Sequence, residues 1–237
     1  MLVGRAARFV NCFGRTRRYN RWMIIARRIT LLLLVAAVPA LAQTLPEALP
    51  EAVPVASVAR PATVKVLLAT SAGPIVLELE KARAPVSTAN FLRYVDQKRL
   101  DGTSFYRALK FPADTPVGLV QFGVRGNAKR SLPPIAHEPT TKTGLTHDNG
   151  AISMARGAPG TAAGDVFIIL GKLPSLDANP AAAGDKDGYA VFGHVIEGLE
   201  NIVKIQLAPT SATAGEGAMK GQMIEAPVTI VSARRVP

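Results

Sequence analysis

From Thr63 to the C-terminus, apolar residues recur at every second position in short runs. Each run stops at a glycine, a proline or a cluster of small residues. A period of two puts alternate side chains on opposite faces of an extended chain, so these runs read as half-buried strands. Val64, Val66 and Leu68 alternate in TVKVLLAT, and Ile75, Leu77 and Leu79 alternate in PIVLELE after the turn Ser71-Ala72-Gly73. Two such runs about a Gly-containing turn form a β-hairpin. Six further runs follow at SFYRA, GLVQFGV, AISMA, DVFIIL, YAVFGHV and PVTIVSARRV. The period switches twice. In residues 85–98, Phe91, Leu92 and Val95 share a helical face, with Ser87 or Thr88 able to cap the start beyond Pro85. A second helix is predicted near residues 197–206, with Leu199, Ile202, Val203 and Ile205 facing the core. The stretch APTSATAGEGAMKGQ reads as a small-residue loop before the last strand. Many short strands with two helices imply a closed antiparallel barrel or a sandwich, and the pattern alone does not choose between them.

The formal charge of +11 is concentrated upstream of these strands: residues 1–42 hold eight arginines and no acid, and the remainder, with 20 basic and 17 acidic residues, carries only +3. With no block of like charge left, a nucleic-acid partner is not expected. Residues 23–42 have the parts of a secretory signal: Arg27 and Arg28, the apolar stretch Ile29 to Val38, and the small-residue site Ala40-Leu41-Ala42. Ten residues of helix span only about 15 Å, roughly half a bilayer's hydrocarbon core. Residues 1–42 are therefore expected to be a basic leader and signal peptide, with Met23 a second candidate start. No stable membrane insertion is expected after processing. Residues 43–62 repeat proline among small residues and read as an extended linker, leaving 63–237 as one domain. The single cysteine, Cys12, lies in the leader, so the mature chain carries no thiol, which suits a periplasmic or secreted protein.

In order, the domain shows GPIVLELEKARAPVSTANFLRYV, DGTSFYRAL, VQFGV, NGAISMARG, DVFIIL, SLD and YAVFGHVIEGLENIVKI. This succession resembles the cyclophilin family of peptidyl-prolyl cis–trans isomerases, particularly its bacterial exported members. The resemblance covers about 170 residues from Thr63 onward. It implies a closed eight-stranded antiparallel barrel capped by two α-helices, and isomerisation of X–Pro bonds in unfolded or exported polypeptides by a monomer without cofactor or metal. A non-catalytic module that binds proline-containing segments is the alternative the resemblance leaves open.

Carried over by motif, the resemblance makes Arg107 in SFYRA the catalytic arginine, with Tyr106 where the family has histidine. It makes Gln121, Leu119, Ala155, Phe167, Leu176 and Tyr189 substrate-binding residues. The chain departs from the family at several places. The usual aromatic before the glutamine motif aligns near Gly118, and Asp165 and Val166 replace a glutamine and a phenylalanine. Ser175 stands for a tryptophan, and Arg156 for an asparagine. Read without the motifs, Arg107 is an arginine on a strand, Phe167 a core residue and Tyr189 a barrel tyrosine. Rotation about X–Pro breaks no bond and needs no nucleophile. It needs a donor aimed at the imide nitrogen, and arginine offers a charged, rigid fork. His137, His147 and His194 lack metal-ligand spacing. His147-Asp148 looks like a catalytic pair but has no serine or cysteine motif beside it, and His137-Glu138 reads as a strand-edge pair. The glycines of GAPGTAAGD lack the phosphate-loop order.

Overall fold

Alternation with a turn every few residues gives antiparallel neighbours, because a short connection can only reverse the chain. The computed structural model describes residues 62–237, so the leader at 1–42, and the linker apart from Ala62, lie outside the described residues. The strands are β1 (Val64–Thr70), β2 (Gly73–Leu79), β3 (Thr103–Phe111), β4 (Val117–Gly123), β5 (Ala151–Met154), β6 (Asp165–Leu170), β7 (Ala190–Glu197), β8 (Thr210–Ser211) and β9 (Met223–Val236). The helices are α1 (Pro85–Asp96), α2 (Thr140–Thr143, a single turn) and α3 (Leu199–Leu207).

Every pairing is antiparallel, in the order β1-β2-β7-β5-β6-β4-β3-β9, and β9 returns to pair with β1 from Lys65↔Val236 to Thr70↔Ile230. The eight long strands therefore close a barrel, and β8 pairs outside the ring with the start of β9. Closure abolishes the open sheet edges that a sandwich would have to protect. Val66, Leu68, Ile75, Leu77, Phe105, Val120, Phe122, Ile152, Ile168 and Phe192 fill the interior and are shielded from solvent.

The two longer helices sit at opposite ends. Phe91 of α1 enters beside Phe192, with ring centres 5.5 Å apart, and meets Phe122 edge-on at 6.4 Å. At the other end Ile202 and Ile205 of α3 are buried, and Asn201 Nδ2 donates to the Pro74 carbonyl at 2.9 Å. Fully burying a side chain of this size stabilises by roughly 1.5–3 kcal/mol, so each helix is held by its apolar stripe more than by its own propensity.

The start of α1 differs from the local reading. Its N-cap is Ala84, and neither Ser87 nor Thr88 caps it. Instead the Glu138 carboxylate accepts from Val86 N at 3.1 Å and Ser87 N at 2.7 Å, closing both free donors at once. Glu138 is 1% exposed and lies in an irregular segment, so His137-Glu138 is not a strand-edge pair. His137 Nε2 instead meets the Asp187 carbonyl at 3.0 Å. A carboxylate at a helix N-terminus also meets the positive end of the helix dipole. Glu138→Ala would leave the buried Ser87 amide unpaired, at about 1–3 kcal/mol before relaxation, and would turn the Val86 amide, on an exposed residue, toward water. Thermal denaturation should show a clear loss of Tm for Glu138→Ala and a smaller loss for Glu138→Gln, which keeps one acceptor.

Candidate active site

The strands that turn Val120, Phe122, Ile152, Val166 and Ile168 into the barrel turn the residues between them outward. On that outer face Leu119, Ala151, Phe167, Ile169 and Val191 form a second apolar cluster, against which Leu109, Ala155, Leu176 and Tyr189 pack. The cluster floors an open groove of about 560 Å³, and Arg107, Leu119, Gln121, Ala155, Phe167, Leu176 and Tyr189 all line it. Phe167 is 4% exposed and packs edge-on against Tyr189 at 5.3 Å, so it belongs both to a core and to the groove floor. Leu176 ends a 3-10 turn (Pro174–Leu176), and its carbonyl accepts from Tyr189 N at 2.9 Å, which ties two wall residues together.

Strict alternation would put Phe105 and Arg107 on one face, yet Phe105 is inside the barrel and Arg107 lines the groove. The cause is a break in register. Phe105 pairs with Phe122 and Arg107 with the next residue, Gln121, leaving Tyr106 as an extra residue. Such a bulge re-aims the side chains that follow it. Arg107 Nη1 donates to Gln121 Oε1 at 2.7 Å, and Nε donates to Gln222 Oε1 at 2.8 Å. Gln121 Nε2 donates to the Tyr106 hydroxyl at 2.8 Å, which donates to Asp165 Oδ1 at 3.0 Å. Burial pulls the Arg107 guanidinium below its ordinary value, against the opposing effect of Tyr106 and Tyr189, but an arginine stays charged. Burial, then the negative charge of Asp165, holds the Tyr106 phenol far above its usual range, so it stays protonated and able to donate.

Gln222, Ala218 and Met219 come from the small-residue loop, and sequence reasoning assigned them no part in the site. That loop carries a 3-10 turn (Gly217–Met219), and Gln222 Nε2 donates back to the Ala218 carbonyl at 2.6 Å, so the residue that braces Arg107 is itself held. Gly157, Thr161 and Ala163, from the glycine-containing segment after β5, line the groove as well.

A sequence profile of the family described as cyclophilin type peptidyl-prolyl cis-trans isomerase/CLD matches residues 65–235. The chain belongs to this family. Peptidyl-prolyl cis-trans isomerase A of Dickeya dadantii is 35% identical over 79% of this chain and 85% of that protein. Peptidyl-prolyl cis-trans isomerase cyp18 of Streptomyces antibioticus is 36% identical over 70% of this chain and 95% of that protein. A crystal structure of a Cryptosporidium parvum cyclophilin type peptidyl-prolyl cis-trans isomerase matches with a TM-score of 0.58 and 21% identity, over 74% of this chain and 99% of that one. At that identity the match speaks to the barrel alone. Family and relatives together make the chain a peptidyl-prolyl cis–trans isomerase.

Several departures of this cyclophilin acquire a place. A Cβ on Gly118 would lie 2.0 Å from the Leu109 carbonyl oxygen, so no aromatic fits there, and Gly118 is not a groove residue. Ser175 is exposed on its 3-10 turn and does not line the groove. The Arg156 side chain is 2% exposed, its guanidinium 4.9 Å from the centre of the Tyr189 ring. It bonds Asp185 Oδ2 at 2.6 Å and the Gly188 carbonyl at 3.0 Å through Nε, fastening the Tyr189 wall.

Beneath the floor lies a constellation that the sequence misdirected. His147 pairs with Asp177 and not with Asp148, which instead meets Thr146 and Lys172. Asp177 Oδ1 accepts from His147 Nδ1 at 2.7 Å, so Nδ1 carries the proton and Nε2 accepts from Ser153 Oγ at 3.0 Å. The order is that of a serine hydrolase, but Ser153 is fully buried and His147 is 1% exposed, so no acyl group can reach the hydroxyl. The imidazole stacks at 6.0 Å on Phe167 and supports the groove floor from below. Burial, outweighing Asp177, holds the His147 pKa below its ordinary value. Unfolded, the ring takes up a proton near about pH 6.5, while the folded ring stays neutral to lower pH, so acid favours the unfolded chain. Stability should be full above that pH and fall as the pH drops toward the folded value. Thermal melts at pH 7.5 and 5.5 should show a smaller acid loss for His147→Gln, and equal pH slopes would contradict this.

Proposed function

We propose that the groove takes an X–Pro segment of an unfolded polypeptide and that Arg107 lowers the barrier to its rotation. The observation that carries this reading is the bracing of the Arg107 fork. Gln222 holds Nε and Gln121 holds Nη1, while Nη2 has no acceptor among the described residues and Arg107 lines the groove. The uncatalysed barrier is about 18–20 kcal/mol because the amide is partly double-bonded. As the bond twists, resonance is lost, the imide nitrogen becomes pyramidal, and it gains a lone pair that a fixed cationic donor stabilises. Either planar isomer lacks that lone pair, so the interaction favours the transition state over both ground states. Phe167, Leu119 and Leu176 hold the proline ring by apolar contact, and Ala155 and Tyr189 shape the adjoining wall. The Cryptosporidium parvum isomerase, whose structure was also determined in the presence of the dipeptide Ala-Pro, supports a site of this kind on the same barrel.

In our reading this isomerase is exported and, as a monomer, assists the folding of exported proteins in the periplasm or outside the cell. Arg27-Arg28, the short apolar stretch and Ala40-Leu41-Ala42 support that reading, as does the absence of cysteine after Cys12. N-terminal sequencing of exported material should find Gln43 first, and a mature chain beginning upstream of Met23 would defeat it.

For the chemistry, Arg107→Ala should cut the rate of cis-to-trans conversion of a prolyl peptide by about a hundred- to a thousandfold, the scale of one donor aimed at developing charge. Arg107→Lys should recover little, since lysine keeps the charge but loses the fork that reaches both glutamines. With thermal stability matched across the three proteins, equal rates would remove Arg107 from the mechanism.

A further inference from the structure

Arginine only donates and carboxylate only accepts, so a hydrogen-bond chain between the two has one permitted direction. Here the chain has four members. Arg107 donates to Gln121 Oε1, Gln121 Nε2 to the Tyr106 hydroxyl, and that hydroxyl to Asp165 Oδ1, at 2.7, 2.8 and 3.0 Å. Because the hydroxyl hydrogen is donated to Asp165, the Tyr106 oxygen is left to accept. Because Tyr106 accepts, Gln121 must present its amide nitrogen there and its carbonyl oxygen to Arg107. A turn of the Gln121 amide by half a revolution would set an N–H against the guanidinium and leave the phenol without its donor. Tyr106 and Gln121 are 5% and 8% exposed, so little of either side chain is open to water that could repair such an error.

Asp165 is fixed in turn. Its Oδ1 also accepts from Arg125 N at 2.8 Å, and the Arg125 guanidinium lies 5.3 Å from the centre of the Tyr106 ring. Packing alone does not clamp these residues, because Gln121 and Asp165 line the groove on one side and a second hollow of about 470 Å³ on the other. The residues at 106 and 165 are the two places where the chain sets a tyrosine and an aspartate against the family's histidine and glutamine. In the folded protein those two departures touch.

We infer that Tyr106 and Asp165 act together as a positioning pair, which fixes the orientation of the Gln121 amide and through it aims Arg107. The inference rests on the proposed role of Arg107 and adds two residues to which that proposal gives no contact with the proline ring or the twisting bond. Its sign is specific. Any replacement at 165 that still accepts keeps the direction of donation, and any that cannot accept releases Tyr106 to donate to Gln121 or to nothing.

The test uses the whole protein and a prolyl peptide, with Tyr106→Phe, Asp165→Leu, the double variant and Asp165→Asn. Losing one link should lower kcat by roughly three- to tenfold, the range of a net hydrogen bond, with KM little changed. The double variant should be no slower than the worse single one, because both break the same chain. Asp165→Asn, whose side-chain oxygen can still accept, should stay within about threefold of wild type. In the ¹⁵N spectrum the Gln121 side-chain amide should shift and exchange faster with water in Tyr106→Phe. Losses that multiply in the double variant, or a Gln121 signal that Tyr106→Phe leaves unmoved, would overturn the pair. A wild type no faster than buffer would sink the reading of Arg107 instead, and the Gln121 signal would still decide whether the chain of donors exists.

Discussion

The inserted residue at Tyr106 shifts the side-chain parity of β3, so that Phe105 stays in the barrel while Tyr106 and Arg107 both flank Gln121. Without that shift Arg107 would share a face with Phe105 and meet the interior, where a guanidinium would find only apolar partners. A buried cation without partners costs several kcal/mol, so the bulge and the arginine are not independent choices. The barrel supplies the other half of the arrangement. Its inner face is filled by side chains from all round, which leaves the outer face of β4, β5, β6 and β7 free to carry a second, smaller cluster with a groove over it.

Where the information was local, the sequence was legible. Alternation marks the first hairpin, short apolar runs mark the other six barrel strands, and the change of period marks both longer helices to within a few residues. The order of short motifs named the family and, through it, seven residues that line a single groove. What escaped is what depends on partners far along the chain. The bulge leaves no trace in SFYRA, since an extra residue changes parity without changing composition. Glu138 caps α1 from about fifty residues away, and the nearer hydroxyls of Ser87 and Thr88 drew the assignment instead. Asp148, beside His147 in sequence, concealed Asp177, which the turn at Pro174–Leu176 brings to the ring. Gln222 follows a run of small residues with no period to read, so nothing local set it apart.

The site also shows how one fold accommodates changed residues without losing its centre. Arg156 is more fully buried than most arginines, yet its donors reach Gly157, Asp185 and Gly188, and its plane rests against Tyr189. The charge is satisfied where it stands, so it stiffens the wall and does not compete with Arg107 for a ligand. Asp165 is handled in the same way, between a phenol and a backbone amide. The two charged departures, Arg156 and Asp165, are thus each matched in the folded chain by polar contacts.

Gln222 has a consequence of another kind, which concerns the order in which the molecule is completed. It directly precedes β9, the strand that closes the ring by pairing with β1 from Lys65↔Val236 to Thr70↔Ile230, far apart in sequence. A chain that emerges N-terminus first holds Arg107, Gln121 and Phe167 long before Gln222 exists to brace the guanidinium. Pairing of such distant segments is slow, because the loop entropy must be lost before the contacts form. The same event that seals the barrel therefore finishes the arginine's support, and a nascent or C-terminally truncated chain lacks both. Its own prolines must find their isomers before that groove is complete.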